Sequence, residues 1–423
     1  MSTQENSKTR EKFPLRILLM ATAGMYLDGY QLSVIALAAL LMVPDMKLST
    51  FQESLILGAV ILGTIIGTVV VGYLADLFGR RRIYIFNLAF FLLFGIISVM
   101  TSNFLVIVIS RILMGIAVGA DYPVSNSYIA EMAPTSVRGK YLSFSNVAFV
   151  LGSISSIVVA LIIFSLGISS NLGWQLMIGI GLIPAAIVLY MRLSMPESKR
   201  WENIKGEIVG TKIIKGMFTG LGGKFTLLTS LLWFLYDMVI YGISLFTPTI
   251  IKMIYGSNVP NTENALFSSI FLFVLLASSV ILMFIVDRTG RKVLQVVGFM
   301  GIGILLLFLP SVYYHLLALV VLLMVIEFFN GFPSTTIGIF PAELSKTEFR
   351  ASAYGFASMM GKIGALAGVI ILGSTLGPSS LKIFMAFGVV MIIAALISLL
   401  LKDTTNMDLD ELYKFKEKLS EEE

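Results

Sequence analysis

The sequence has no cysteine and a single histidine, His315. Disulfides therefore contribute nothing to the fold. Charge is scarce too: Asp, Glu, Lys and Arg make up 13% of the 423 residues, against about 25% in a typical soluble protein. Hydrophobic residues reach 57% and the mean hydropathy is +0.92. There is too little polar surface to cover such a chain in water, which excludes a soluble globular protein and implies an integral membrane one. No N-x-S/T sequon occurs, which favours a prokaryotic or unglycosylated protein. The glycine–lysine stretches "GLGGKF" and "GFASMMGKIG" have misplaced upstream glycines and no Ser or Thr after the lysine. The P-loop that an ATP-driven pump needs is thus missing. No metal, cofactor or enzymatic chemistry is expected.

What is present is a series of apolar runs. A helix needs roughly 20 apolar residues to cross a bilayer. Twelve candidates lie near 15–43, 52–75, 83–101, 104–133, 141–167, 172–193, 225–254, 265–286, 293–312, 314–342, 352–376 and 380–401. The first sixteen residues are polar and carry Lys8, Arg10, Lys12 and Arg16. The run after them is too long for a signal-peptide core, so it reads as the first spanning helix. The longest polar interruption, 194–224, splits the twelve into six plus six. The expected organisation is an N-terminal six-helix bundle over 1–193, a cytoplasmic linker over 194–224, a C-terminal bundle over 225–401 and a charged cytoplasmic tail over 402–423. The fold class is all-α and integral to the membrane, with twelve transmembrane helices in two six-helix bundles.

Charge placement supports that count. With both termini inside, Lys47, Lys252 and Lys382 are the basic residues of the outer loops, and Arg111 and Lys362 fall within spans. Every other one of the 30 Lys and Arg lies in an inner loop or tail, as the positive-inside rule requires. Losing one helix would destroy the asymmetry. The net charge of +5 therefore reports topology, and nucleic acid is not an expected partner. The expected location is the plasma membrane, as a monomer in the lipid bilayer.

The halves repeat. "ADLFGRRR" begins at Ala75 and "VDRTGRK" at Val286, so Asp76, Gly79 and Arg80 map onto Asp287, Gly290 and Arg291 at an offset of 211. Glu131 and Arg138 map onto Glu343 and Arg350 at an offset of 212. Parallel repeats of six helices imply two bundles about an axis along the membrane normal, with a solute site between them. Acidic residues contribute little to topology, so their recurrence beside arginines needs another reason. Ion pairs that latch the cytoplasmic ends together supply one, set against the plainer reading of topogenic surface charge. Gly79 is expected in a tight turn there, with Gly72 opening the motif.

These motifs carry a family resemblance. "GYLADLFGRRR" and "VDRTGRK" look like the signature loops of the major facilitator superfamily. "RILMGIAVGADYPVSNSYIAEMAPTSVRG", "PESKRW" and "FPAELSKTEFRA" resemble its sugar-porter and phosphate-symporter branches. The resemblance covers almost the whole chain. It implies a secondary transporter that moves a small solute by rocker-switch alternating access.

Asp28, Asp121, Asp237, Glu327, Arg111 and Lys362 fall inside expected spans. Each costs at least ~2.5–3.5 kcal/mol at a helix centre, so such residues usually face a cavity. The alternative is structural pairing between helices, but four acids against two bases cannot all be neutralised by pairing. A net-acidic interior must hold protons or cations, and burial disfavours ionised carboxylates in general. His315 is expected in an outer loop, away from any proton path. Helix 7 reads "WFLYDMVIY", with Trp233, Asp237 and Tyr241 at i, i+4 and i+8 along one face. Helix 10 aligns Glu327, Asn330 and Ser334. Gly115 and Gly119 follow Arg111 in a small-residue stripe that permits close packing.

An acid on helix 1 facing an arginine on helix 4 resembles the proton-coupling pair of sugar porters, which implies pairing of Asp28 with Arg111. "GADYPVS" resembles the "GGDYPLS" signature of phosphate:proton symporters, and the helix 7 stripe and "GKIGA" also look like that family. By that resemblance Tyr122, Trp233, Asp237 and Tyr241 line the solute site, Asp28 and Asp121 carry protons, and Lys362 helps hold an anion. Glu327 and Ser334 join the site from helix 10. The chain departs from the pattern where the family's helix 5 glutamine has no counterpart near Phe149 and Asn146 is the nearest amide. Ser334 stands for an asparagine, and Gln31 for the second acid of the helix 1 motif. The implied activity is proton-coupled symport of a small anion, such as phosphate, a sugar acid or another carboxylate. A sugar or organic-cation carrier, a channel, and a membrane sensor on the same fold are the alternatives.

Overall fold

The structure is a computed structural model that describes residues 14–244, 261–313, 315–373 and 380–409, with Glu411 and Tyr413. Among these residues, twelve helices are long and apolar enough to cross a membrane. The first bundle holds α1 (Leu15–Met46), α2 (Thr50–Phe78), α3 (Arg80–Val99), α4 (Phe104–Met132), α5 (Arg138–Ser165) and α6, which runs over Ser170–Ile180 and Leu182–Arg192. The second holds α7 (Gly220–Ser244), α8 (Asn261–Thr289), α9 (Arg291–Val312), α10, which runs over Leu316–Thr336 and Ile339–Leu344, α11 (Arg350–Gly373) and α12 (Ser380–Ser398). Two short helices, Lys199–Ile204 and Gly210–Phe218, lie between the bundles in sequence. They mark one end of the molecule, the linker side. The outer part of the expected seventh span, with Lys252, lies outside the described residues.

Local chemistry sets several helix starts. Ser49 and Gln52 form a reciprocal capping box before α2, with bonds of 2.9 and 3.3 Å. Asn103 accepts from the backbone N–H groups of Leu105 and Val106 at the start of α4. The duplicated motif is tighter than a loop. Gly79 alone separates α2 from α3, at φ 97°, and Gly290 alone separates α8 from α9, at φ 98°. A side chain at that φ would be strained, so glycine is what lets one helix fold directly onto the next. Arg80 and Arg291, expected in loops, therefore open helices and are wholly buried.

With lipid outside, helices gain little from burying apolar surface and associate through close packing. The glycine stripe of α4 does this against α2. A Cβ on Gly115 would lie 2.3 Å from the Val60 carbonyl oxygen, and one on Gly119 2.4 Å from that of Thr64. Outward faces carry rows such as Leu62, Ile66 and Val70 on α2 or Val389, Ile393 and Leu396 on α12, which are exposed to where lipid lies. Across the two bundles, α2 runs along α11 and α5 along α8.

Gly119→Leu should therefore destabilise the purified protein by about 1–3 kcal/mol or more through overpacking. A clear fall in its thermal unfolding midpoint is expected, and an unchanged midpoint would contradict this packing.

Candidate functional site

The polar groups at the centre come from α4, α7 and α11. Trp233, Asp237 and Tyr241 share one face of α7, as their spacing requires, and that face meets α11. The Lys362 ammonium lies 3.5 Å from Asp237 Oδ2 and donates to the Tyr241 hydroxyl at 3.2 Å. It also sits over two aromatic rings, Tyr241 at 4.9 Å and Tyr122 at 5.2 Å, within cation–π range. Tyr122 belongs to the first bundle and the other three to the second, so this cluster spans the interface. Lys362 and Asp237 are 5% and 2% exposed. Their contact is loose: Asp237 Oδ2 has no hydrogen-bond partner. Trp233 packs edge-on to Tyr354, ring centroids 5.4 Å apart, and Gly361 leaves it room, since a Cβ there would lie 2.4 Å from its ring. An ammonium lined by two phenols and a loosely held carboxylate can accept an anionic group or retain its carboxylate.

Helix α10 turns its Glu327–Asn330–Ser334 face to the same axis. The Tyr236 hydroxyl of α7 donates to Asn330 Oδ1 at 2.8 Å, and Asn330 Nδ2 donates to Glu327 Oε2 at 2.9 Å. Asn146 Nδ2 of α5 donates to Ser334 Oγ at 3.1 Å and to Ser279 Oγ of α8 at 3.0 Å. Asn146 thus joins the bundles beside the site.

The N-terminal acids do not sit as the sequence suggests. The structure does not bring Asp28 and Arg111 together. Both are wholly buried, both Asp28 oxygens lack a hydrogen-bond partner, and so do all three Arg111 nitrogens. Asp121 is not free beside the solute site either. Neighbouring residues on a helix point about 100° apart, so while Tyr122 faces Lys362, Asp121 faces α1 and α6. It takes an ion pair from Arg192 at 3.2 Å. Gly24 of α1 makes room, since a Cβ there would lie 2.4 Å from the Asp121 carboxyl carbon. Arg192 also donates to the Met20 carbonyl at 3.3 Å and stacks over the Tyr84 ring at 4.2 Å. Sequence reasoning missed Arg192, because a basic residue at the end of an apolar span looks like a topological anchor.

At the linker side the duplicated motifs interlock. Asp76, at the end of α2, accepts from the N–H groups of Ala351 and Ser352 at 3.3 and 2.7 Å and from the Ser352 hydroxyl at 2.6 Å. It thereby caps the start of α11 in the other bundle, where helix N–H groups have no partner of their own. Asp287, at the end of α8, accepts from the N–H groups of Gly139 and Lys140 at 2.9 and 2.8 Å and caps α5 likewise. Ion pairs cross in the same sense. Glu131 takes Arg80 at 2.8 Å and Arg350 of the other bundle at 3.1 Å. Glu343 takes Arg291 at 2.8 Å and Arg138 of the other bundle at 3.8 Å. Close backbone approach makes this possible: a Cβ on Gly72 would lie 2.6 Å from the Ala351 carbonyl oxygen.

Two flanking segments cover the motifs. Glu197 of "PESKRW" accepts from the Arg80 N–H at 3.0 Å, and Trp201 Nε1 donates to the Asp76 carbonyl at 2.7 Å. At the equivalent place, Thr405 accepts from the Arg291 N–H at 3.3 Å, and Thr404 donates to Glu343. The Met407 carbonyl accepts from Arg138 at 3.0 Å, and Asp408 pairs with Arg200 at 2.8 Å. Burial pushes the Asp408 carboxyl up, but its hydrogen bond and ion pair with Arg200 outweigh this and hold it below the usual carboxylate range. The linker side is closed in this structure.

Arg80→Ala or Asp76→Ala should favour states open at the linker side. Breaking a buried pair costs about 3–5 kcal/mol, enough to move the closed-to-open ratio roughly a hundredfold or more. The chain has no thiol of its own, so one cysteine at Ser145, buried two turns inside α5, reports opening by its labelling rate. Faster labelling in both variants is expected, and unchanged rates would remove the latch.

Comparisons with known proteins agree with this architecture. The family described as Major Facilitator Superfamily matches residues 18–369 and, in a second overlapping match, 232–417. The chain is 28% identical to a repressible high-affinity phosphate permease of Neurospora crassa, with 84% of this chain and 77% of the permease covered. It is 27% identical to an arabinose-proton symporter of Bacillus subtilis, with 81% of this chain and 82% of the symporter covered. Among solved structures, the proton:xylose symporter XylE bound to 6-bromo-6-deoxy-D-glucose superposes with a TM-score of 0.81 at 23% identity. That superposition covers 95% of this chain and 98% of the other. With twelve apolar helices and a duplicated motif at the end of each bundle, the chain belongs to the major facilitator superfamily.

Proposed function

We propose that the protein is a secondary active transporter that carries a small anion together with protons, by alternating access between its two bundles. The observation that carries this reading is Lys362, a buried ammonium between the bundles held only loosely by Asp237 and flanked by Tyr122 and Tyr241. A solute anion would compete with Asp237 for that ammonium. The two phenols would supply hydrogen bonds, with Trp233 and Ser334 completing the wall. Relatives described as phosphate permeases favour inorganic phosphate. The helix 5 glutamine that the phosphate-symporter resemblance calls for has no counterpart here and Ser334 stands for its asparagine, so a sugar acid or another small carboxylate fits the same cluster.

For the proton, Asp28 is the stronger carrier of the two N-terminal acids. It is buried without a partner, whereas Asp121 already has Arg192. Proton and anion then favour each other's binding, and that linkage is reciprocal. Arg111, equally unpartnered, is available to Asp28 when the bundles rearrange. The gathering of basic residues at the linker side would place it in the cytoplasm, with both termini there and the chain in the plasma membrane. That Lys362 already has the Asp237 carboxylate 3.5 Å away supports a second reading, in which the pair is structural and the solute is a sugar or an organic cation.

Ligand-induced thermal stabilisation against phosphate, sugar acids, sugars and amines, followed by Lys362→Gln, separates the two. For an anion site, Lys362→Gln raises the Kd about 10- to 100-fold, roughly 1.4–2.7 kcal/mol, with little change in melting temperature. A structural pair would instead leave Asp237 buried and unpaired and lower the melting temperature, with recovery in the Lys362→Gln/Asp237→Asn double variant. Intact anion affinity with a large loss of stability would sink the anion reading.

A further inference from the structure

Like Asp28, which has no partner, Glu327 stands apart from the other carboxylates of the spans. Asp237 has Lys362, Asp121 has Arg192, and Asp76, Glu131, Asp287 and Glu343 have arginines at the linker side. Among the described residues no base pairs with Glu327. Its hydrogen-bond partner is the neutral Asn330 amide, oriented in turn by the Tyr236 hydroxyl. Asn330 and Tyr236 are 3% and 6% exposed, whereas Glu327 is only partly buried. The chain from phenol to amide to carboxylate is therefore rigid at its inner end and open at the acid.

The neighbours make the missing base a property of the whole environment. On α7, Tyr236 reaches it through Asn330, while Asp237 and Tyr241 lie against Lys362. On α11, Lys362 is engaged by Asp237 and Tyr241. At the level of Glu327, α8 supplies Ser278, whose hydroxyl donates to the Phe328 carbonyl at 2.6 Å. About two turns further along α10, at Ser334, α5 supplies Asn146 and α8 Ser279. Among the described residues, the charges of α5, α8 and α9 sit in terminal turns: Arg138 and Lys140, Asp287 and Arg288, Arg291 and Lys292. His315 stands at the far start of α10 and Glu343 at its linker end.

An ionised carboxylate on this wall would repel an anion at Lys362, and nothing nearby compensates it. We propose that Glu327 is a second proton-binding site, in the C-terminal bundle, so that one proton rides on Glu327 in addition to the one carried by the N-terminal acids. This rests on the proton-coupled anion reading above, and it gives Glu327, which the sequence places at the solute site, a proton to carry there. The proton enters on a Glu327 oxygen from water when the site is open, and leaves by the same bond on the other side. The Asn330 Nδ2–H bond to Oε2 holds the carboxylate in place in between.

The test uses the purified full-length chain in lipid and infrared difference spectra between acid and alkaline pH. The wild type should show separate protonated-carboxyl bands for Glu327 and Asp28. Glu327→Gln should lose one band and Asp28→Asn the other. Glu327→Asp, which keeps a titrating acid should Gln fold poorly, should retain the first band at a shifted frequency. A Glu327→Gln spectrum that superposes on the wild type, or a Glu327→Asp band that has not moved, overturns the proposal. In proteoliposomes with inorganic phosphate as probe, the ratio of protons to phosphate should fall by one in Glu327→Gln, and an unchanged ratio overturns it too. Uptake insensitive to a protonophore in the wild type would defeat the symport reading instead, and the spectra would still decide Glu327.

Discussion

The constraint on which the structure depends is that a charge inside the bilayer must be answered. Uncompensated, an ionised side chain in the hydrocarbon region costs several kcal/mol. Most of the buried charges here are answered by a partner from a different helix, so electrostatics decides which helices meet. Asp121 and Arg192 tie α4 to α6, and Lys362 and Asp237 tie α11 to α7. Asp28, Arg111 and Glu327 lack any such ion pair. The proposed proton coupling needs some of the charge uncommitted, and α4 and α10, which carry Arg111 and Glu327, both contact the other bundle.

Duplication explains the closed end. Each half supplies an acid at the end of its second helix, an arginine one glycine later, and a Glu–Arg pair further along. In the folded protein these copies do not close upon themselves alone. Asp76 caps α11 and Asp287 caps α5, while Glu131 reaches Arg350 and Glu343 reaches Arg138. The twofold relation between bundles makes each half complete the other. Even the covers are paired, with Glu197 over the first motif and Thr404 and Thr405 over the second. Each set of contacts therefore ties the two bundles together, as the proposed alternating access needs on its closed side.

Much of this was legible in the sequence because it is local or periodic. Twelve apolar runs, the offset repeat and the Trp233–Asp237–Tyr241 stripe follow from helix length and pitch alone. What the sequence hid depends on which way a side chain points across a helix junction. Asp121 and Tyr122 are adjacent in sequence, yet one turns into its own bundle and the other to the interface. Arg192 looked like an anchor at a membrane surface and proved to be the partner of Asp121. The family resemblance implied an Asp28–Arg111 pair, but helix packing keeps the two apart here. The crossing of the Glu–Arg pairs was equally invisible, since intrachain spacing gives no sign of which bundle a partner comes from.

The central claim is that an unpartnered buried carboxylate couples proton entry to solute movement. It is tested most directly in proteoliposomes, with the solute that gives the largest stabilisation, under an imposed inward proton gradient. The account predicts concentrative uptake that a protonophore abolishes. In Asp28→Asn, uphill uptake should be lost while solute counterflow persists, because counterflow need not cycle the proton. Concentrative uptake unchanged by the protonophore, or equal loss of both activities in well-folded Asp28→Asn, would contradict it.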